Sequence, residues 1–100
     1  MKTMLTYDGT ETIVVLAKRR GSWVHFSDDG AAVRAAGAPR GWLPVAQRVV
    51  AELDLNVNRR GVVFVSSPDW RPEAWLHLLE ERVADASLAV YEALLELDEE

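Results

Sequence analysis

PEAWLHLLEERVADASLAVYEALLEL, residues 72–97, decides the fold. After Pro72 no glycine or proline interrupts it, and apolar residues recur at helical spacing. Trp75, Leu76, Leu79, Val83, Ala86, Val90, Leu94 and Leu97 fall on one stripe and predict a core-facing helix of about seven turns. A second apolar stripe, Ala84, Leu88, Tyr91 and Leu95, lies about 130° round the helix, and the acids Glu81, Asp85, Glu92 and Glu96 take the remaining face. A helix so apolar in its second half needs cover on two sides. Either it lies between two layers, under the helix expected at 44–54 or under Trp42, or it keeps a stripe for another chain. That chain would be a second copy, in an antiparallel helix pair, or a different protein.

The residues before this helix read as strands and two shorter helices. KTMLTY (2–7) and TIVVLAKR (12–19) are β-rich runs around Asp8-Gly9, a strong two-residue hairpin signal because both central positions of a type I′ turn need positive φ. The chain turns at KRRGS and continues as SWVHFS (22–27), where Val24 and Phe26 face one side and Trp23 and His25 the other. A three-stranded meander is expected. AAVRAA (31–36) suits one or two helical turns. A second helix is expected near Pro44, with Val45, Val49, Val50 and Leu53 at helical spacing. LNVNRRGVVFVSS then reads as a short strand, a basic turn and a buried strand over 61–66. The order βββ-α-α-ββ-α predicts one α+β domain over residues 1–100, an antiparallel sheet with the long C-terminal helix packed on one face.

Composition excludes several classes of function. There is no cysteine, hence no disulfide, thiolate nucleophile or cysteine-bearing zinc site, and a cytoplasmic setting is the simplest expectation. No window approaches the roughly 18 apolar residues that cross a bilayer, and MKTMLTYDGTE lacks the layout of a signal peptide, so no membrane role is expected. Nine arginines against two lysines suit a GC-rich genome, and the scarcity of side-chain amides would suit a warm-growing host. The net charge of −5 is unevenly spread: residues 1–71 sum to +3, and residues 72–100 to −8.

No constellation carries catalysis. Asp28 and Asp29, in HFSDDG (25–30), precede a helix whose first N–H groups need acceptors, so one of them is expected to cap it. A metal would need further ligands, and Asp8, Glu11, His25 and Asp69 show no recognised ligand spacing, so neither metal nor cofactor is expected. His25 reads as a half-buried sheet residue, and His77 sits on the flank of the long helix. Ser66 and Ser67 close a strand, but the flanking glycines of a nucleophile elbow are missing and Pro68 follows. Lys18, Arg19, Arg20, Arg59 and Arg60 sit on two hairpin turns that would form a phosphate-binding patch if both lay at one end of the sheet.

At WVHFSDDGAAVRAAG (23–37), followed by a helix, a short strand pair and a terminal helix, the chain resembles an uncharacterised small domain family of prokaryotes and phages in which a strand ends in a Ser-Asp-Asp-Gly turn. Ser27, Asp28, Asp29 and Gly30 carry the resemblance, which follows the order of elements over roughly 12–97. It implies no catalytic residues and points to a mobile-element or defence-related setting.

The leading expectation is a non-enzymatic protein-binding module, such as a phage-type inhibitor (an anti-CRISPR or other anti-defence protein) or a small accessory subunit. It would act through the acidic helix, with Ala84, Leu88, Tyr91, Leu95, Glu81, Asp85, Glu92 and Glu96 meeting a second copy or a basic foreign surface. The alternative is a nucleic-acid-binding protein or antitoxin working through Lys18, Arg19, Arg20, Arg59 and Arg60.

Overall fold

A computed structural model describes residues 2–7, 9 and 11–98 of the chain. Asp8, half of the expected Asp8-Gly9 turn, lies outside them. Strands β1 (Lys2–Thr6) and β2 (Thr12–Val14) form an antiparallel pair. Strands β3 (Leu16–Arg20), β4 (Trp23–Ser27), β5 (Asn56–Val57) and β6 (Val63–Pro68) form a second antiparallel sheet in the order β3-β4-β6-β5. Helices α1 (Ala31–Ala35) and α2 (Trp42–Ala51) connect the two halves of that sheet, and α3 (Glu73–Asp98) closes the chain. The architecture is α+β.

The run expected as one strand over 12–19 breaks at Val15, so the meander divides between two sheets. Ile13 and Val15 are both fully buried. By bending there, the chain keeps both inside and swings β1 and β2 off the main sheet to pack along α3. A regular antiparallel pair gains no acceptor where its register shifts between Lys2 and Thr6, and the Thr3 hydroxyl fills the gap: it accepts from the Leu5 N–H at 3.1 Å and donates to the Ile13 carbonyl at 2.9 Å.

Helix α3 is the centre of the molecule, about 39 Å long at 1.5 Å per residue over its 26 residues. Its first stripe, Leu79, Val83, Ala86, Val90 and Leu94, is buried among Val24, Phe26 and Val63 on the inner face of the main sheet and the residues of α2. Each buried valine or leucine of this stripe stabilises the fold by roughly 1.5–3 kcal/mol. Trp75, expected on this stripe, is 37% exposed, because it borders an open cleft between β6 and the helix. Half of the second stripe is also internal. Ala84 and Tyr91 are buried, and the cover over Tyr91 comes from Tyr7 at the end of β1, with ring centroids 5.2 Å apart. The expected covers, α2 and Trp42, do not reach it alone; the displaced hairpin and α1 complete the layer.

Two local details correct the sequence reading. Helix α2 starts at Trp42, two residues before Pro44, because the first four N–H groups of a helix have no partner within it and proline is tolerated there. Gly61 leads into β6 with φ +83°, and a Cβ there would lie 3.0 Å from the Cβ of Val33, so α1 docks where a side chain is missing.

Candidate nucleic-acid interface

Strand β4 points alternate residues to the two faces of the main sheet, and the faces differ in kind. On the inner side the strand ends at Asp28, 1% exposed. Its Oδ1 accepts from the Gly30 and Val63 N–H groups at 2.8 and 2.9 Å. Its Oδ2 accepts from the Ser87 hydroxyl at 2.8 Å and from the Ala32 N–H at 3.4 Å. The Ser87 hydroxyl is thereby a donor, so in its 2.6 Å bond with Tyr7 the tyrosine O–H donates. Burial above all pushes the Tyr7 phenol up to about 12, and the neighbouring Asp28 charge adds to this against the opposing effect of the Ser87 bond, which keeps the group a donor. The four acceptor positions of the carboxylate are thus filled by β6, α1 and α3. Asp28 clamps the layers together and caps α1 from two residues before the Gly30 N-cap. Asp29 is exposed with φ 56°, and its carbonyl accepts from Arg34. Among the described residues no group of three or more His, Asp or Glu side chains could hold a metal ion.

The outer face is open. All three helices lie on the inner side of the sheet. Pairing aligns Trp23 with Pro68, His25 with Ser66 and Ser27 with Phe64 across the two central strands. On the edge strand, Leu16, Lys18 and Arg20 pair with Ser27, His25 and Trp23 and share that face. Trp23 is 48% and Leu16 46% exposed, while His25 and Phe64 are half-buried. His25 Nδ1 and Ser66 Oγ are 2.5 Å apart, a bond that ties the imidazole to β6. The face thus carries three rings on its central strands, two cations along one margin, and no carboxylate among its described residues.

The face continues at one corner into the loop after β6. The Asp69 N–H donates to the Ser22 carbonyl at 2.9 Å, and Asp69 pairs with Arg19 at 3.8 Å, tying that loop to the β3–β4 turn. Beyond it Trp70 is 71% exposed, and the Arg71 guanidinium lies 5.0 Å from the Trp70 ring centre and 5.6 Å from that of Trp75. A stacked guanidinium leaves its in-plane N–H donors free.

The two basic turns do not meet. Arg19 and Arg20 lead into Trp23, opposite Pro68, whereas Arg59 and Arg60 precede Val63, beside Asp28 at the other end of β4. Antiparallel pairing of β4 with β6 puts the two turns at opposite ends of the sheet, about 13 Å or more apart along the strands. Arg19 also faces the inner side, opposite Val24. Of the basic set only Lys18 and Arg20 share the open face. On α3, Ala84 and Tyr91 are inside the fold and unavailable to a partner, Leu88 is half-buried, and Leu95 is 37% exposed beside the exposed Glu92 and Glu96, with the exposed Glu81 and Asp85 two to four turns before it. His77 is exposed, 3.3 Å from Glu81. Among the described residues no helix is long and apolar enough to cross a membrane.

Sequence reasoning placed Trp23 and His25 together opposite Val24 and Phe26, but it missed Phe64, Trp70, Arg71 and Trp75. The period-2 alternation of GVVFVS contained Phe64, had the strand been read as one-sided. No family model, curated protein or solved structure matches the chain. Function must therefore be argued from the site itself.

Proposed function

We propose that the protein is a non-enzymatic binding module that holds single-stranded nucleic acid across the open face of its main sheet. The observation that carries this reading is the uncovered face bearing Trp23, His25 and Phe64 on central strands, with Lys18 and Arg20 along its margin and no carboxylate among its described residues. Unpaired bases stack on aromatic faces at about 1–3 kcal/mol each, and cations beside them take the phosphates. A duplex hides its base faces, so the platform discriminates against it. The net charge of −5 does not oppose this, because Glu73, Glu80, Glu81, Asp85, Glu92 and Glu96 lie on α3, in the layer behind the sheet.

Titrating the intrinsic tryptophan fluorescence with a short unstructured oligonucleotide, against a duplex of equal length and at two salt concentrations, tests the proposal. Binding of the single strand alone, weakened by salt and by Trp23→Ala, is expected. Equal affinity for duplex, or binding indifferent to Trp23, overturns it.

The acidic face of α3 supports a second reading, contact with a basic protein surface or a second copy through Leu95 and its flanking acids. Its apolar content is small, since Ala84 and Tyr91 are taken up by the fold.

A further inference from the structure

Strand β5 pairs only with Val63 and Phe64, so β6 from Val65 to Pro68 has a strand neighbour on one side alone. Beneath that bare edge, between β6 and the first half of α3, lies an open cleft of about 320 Å³. Its size is at the lower end of small-molecule sites, which run from about 300 to 1,000 Å³. Arg71, Trp75 and Arg82 line it, the last two seven residues apart on one flank of α3, together with Ser66 of β6 and one carboxylate, Asp54.

Two features make the cleft suited to an anion attached to a ring. Arg71 and Arg82 have no carboxylate within 4.0 Å among the described residues, whereas Arg19 is paired with Asp69. The Arg71 guanidinium lies 5.0 Å from the Trp70 ring centre and 5.6 Å from that of Trp75, and such cation–π contacts take up none of its N–H donors to oxygen acceptors. Arg82 is the only cation in a helix otherwise rich in acids, and it points to the same cleft. Trp75 offers a partly exposed indole beside them.

The cleft also joins the open face. Ser66 belongs to both: its hydroxyl is bonded to His25 on the outer side, and it lines the cleft below. A strand lying over Trp23 and His25 passes across the bare edge of β6 and arrives between Arg71 and Arg82.

We infer that this cleft is a subsite for the phosphorylated end of the bound strand, with Arg71 and Arg82 taking a terminal phosphate monoester and Trp75 stacking the end base. The inference rests on the single-strand reading, and the test separates the two. Affinities of a short oligothymidylate would be compared without phosphate, with a 5′ phosphate and with a 3′ phosphate, alongside free thymidine monophosphate.

A terminal phosphate at one end is expected to tighten binding about tenfold. Arg82→Gln, folded as judged by an unchanged melting temperature, should remove that gain and leave the unphosphorylated strand bound as before. Trp23→Ala should weaken both forms by a similar factor and keep their ratio. If phosphorylated and unphosphorylated strands bind alike, or if the gain survives Arg82→Gln, the subsite is wrong while the platform stands. If no oligonucleotide binds but the free nucleotide does, in an Arg82-dependent way, the platform is wrong and the cleft stands as a nucleotide site.

Discussion

The two faces of the main sheet share the same strands and differ in what their side chains have left to do. On the inner face Val24 and Phe26 are buried under α3, and Asp28 has a donor at each of its acceptor positions. No buried side-chain nitrogen or oxygen among the described residues lacks a partner. On the outer face the alternate residues of β4 and β6 hold rings and hydroxyls with little above them. Around Val24, Phe26 and Asp28 the inner face is chemically saturated and so is structural. The outer face keeps stacking surface and charge in reserve, which is what a binding surface needs.

Asp28→Ala should break the contrast most severely. It strands the Gly30, Ala32 and Val63 N–H groups and the Ser87 hydroxyl in the interior. Unsatisfied buried groups cost about 1–3 kcal/mol each, so urea denaturation should show a loss of at least about 3 kcal/mol. A loss below about 1 kcal/mol would mean that the carboxylate does not clamp the layers.

The same network makes a pH prediction. Folding raises the Tyr7 phenol from 10.0 to about 12, which favours the neutral form in the folded state. Its contribution is complete below pH 10 and is lost as pH rises from 10 towards 12, a change of about 2–3 kcal/mol. Tyr7→Phe should start less stable and show a flatter decline over that window. Parallel curves for the two proteins would contradict the assignment of Tyr7 as a buried donor.

Much of this division was legible in the residues. The long helix, the split of Val24 and Phe26 from Trp23 and His25, and the capping role of an aspartate before α1 all follow from spacing and local chemistry. What was not legible depended on position along the third dimension. The break at Val15 answers a demand made by Tyr91, which lies 76 residues later and needs cover. The separation of the two Arg-Arg-Gly turns follows from the order β3-β4-β6-β5, and strand order is not written in local periodicity. The cluster of Trp70, Arg71 and Trp75 forms where a loop is pinned by the Asp69 contacts, again a non-local event.

On the outer face, Trp23→Ala should change stability by no more than about 0.5 kcal/mol and weaken single-strand binding by about tenfold. Lys18→Ala and Arg20→Ala should each lower the salt dependence of binding, by about 0.7 in the slope of log affinity against log salt. Fluorescence titration at several salt concentrations reads both. If Trp23→Ala instead unfolds the protein, the outer face is part of the structural half after all.

The smallest effect is expected at the far end of α3, where one helix flank contrasts with itself. Tyr91 is 7% exposed and Leu95, one turn on, is 37% exposed. Leu95→Asp should therefore alter stability by about 0.5 kcal/mol or less, while Ala84→Asp, at a site 2% exposed, should destabilise by several times as much. Light scattering on the wild type and Leu95→Asp settles whether that exposed leucine has a partner in a second copy. Equal molar masses leave Leu95 a solvated end residue. A wild-type dimer that dissociates in Leu95→Asp makes it an interface, and because Asp adds charge beside Glu92 and Glu96, Leu95→Ala is needed as well. If Leu95→Ala also dissociates the dimer, lost apolar contact is the cause; if it does not, repulsion among the acids is.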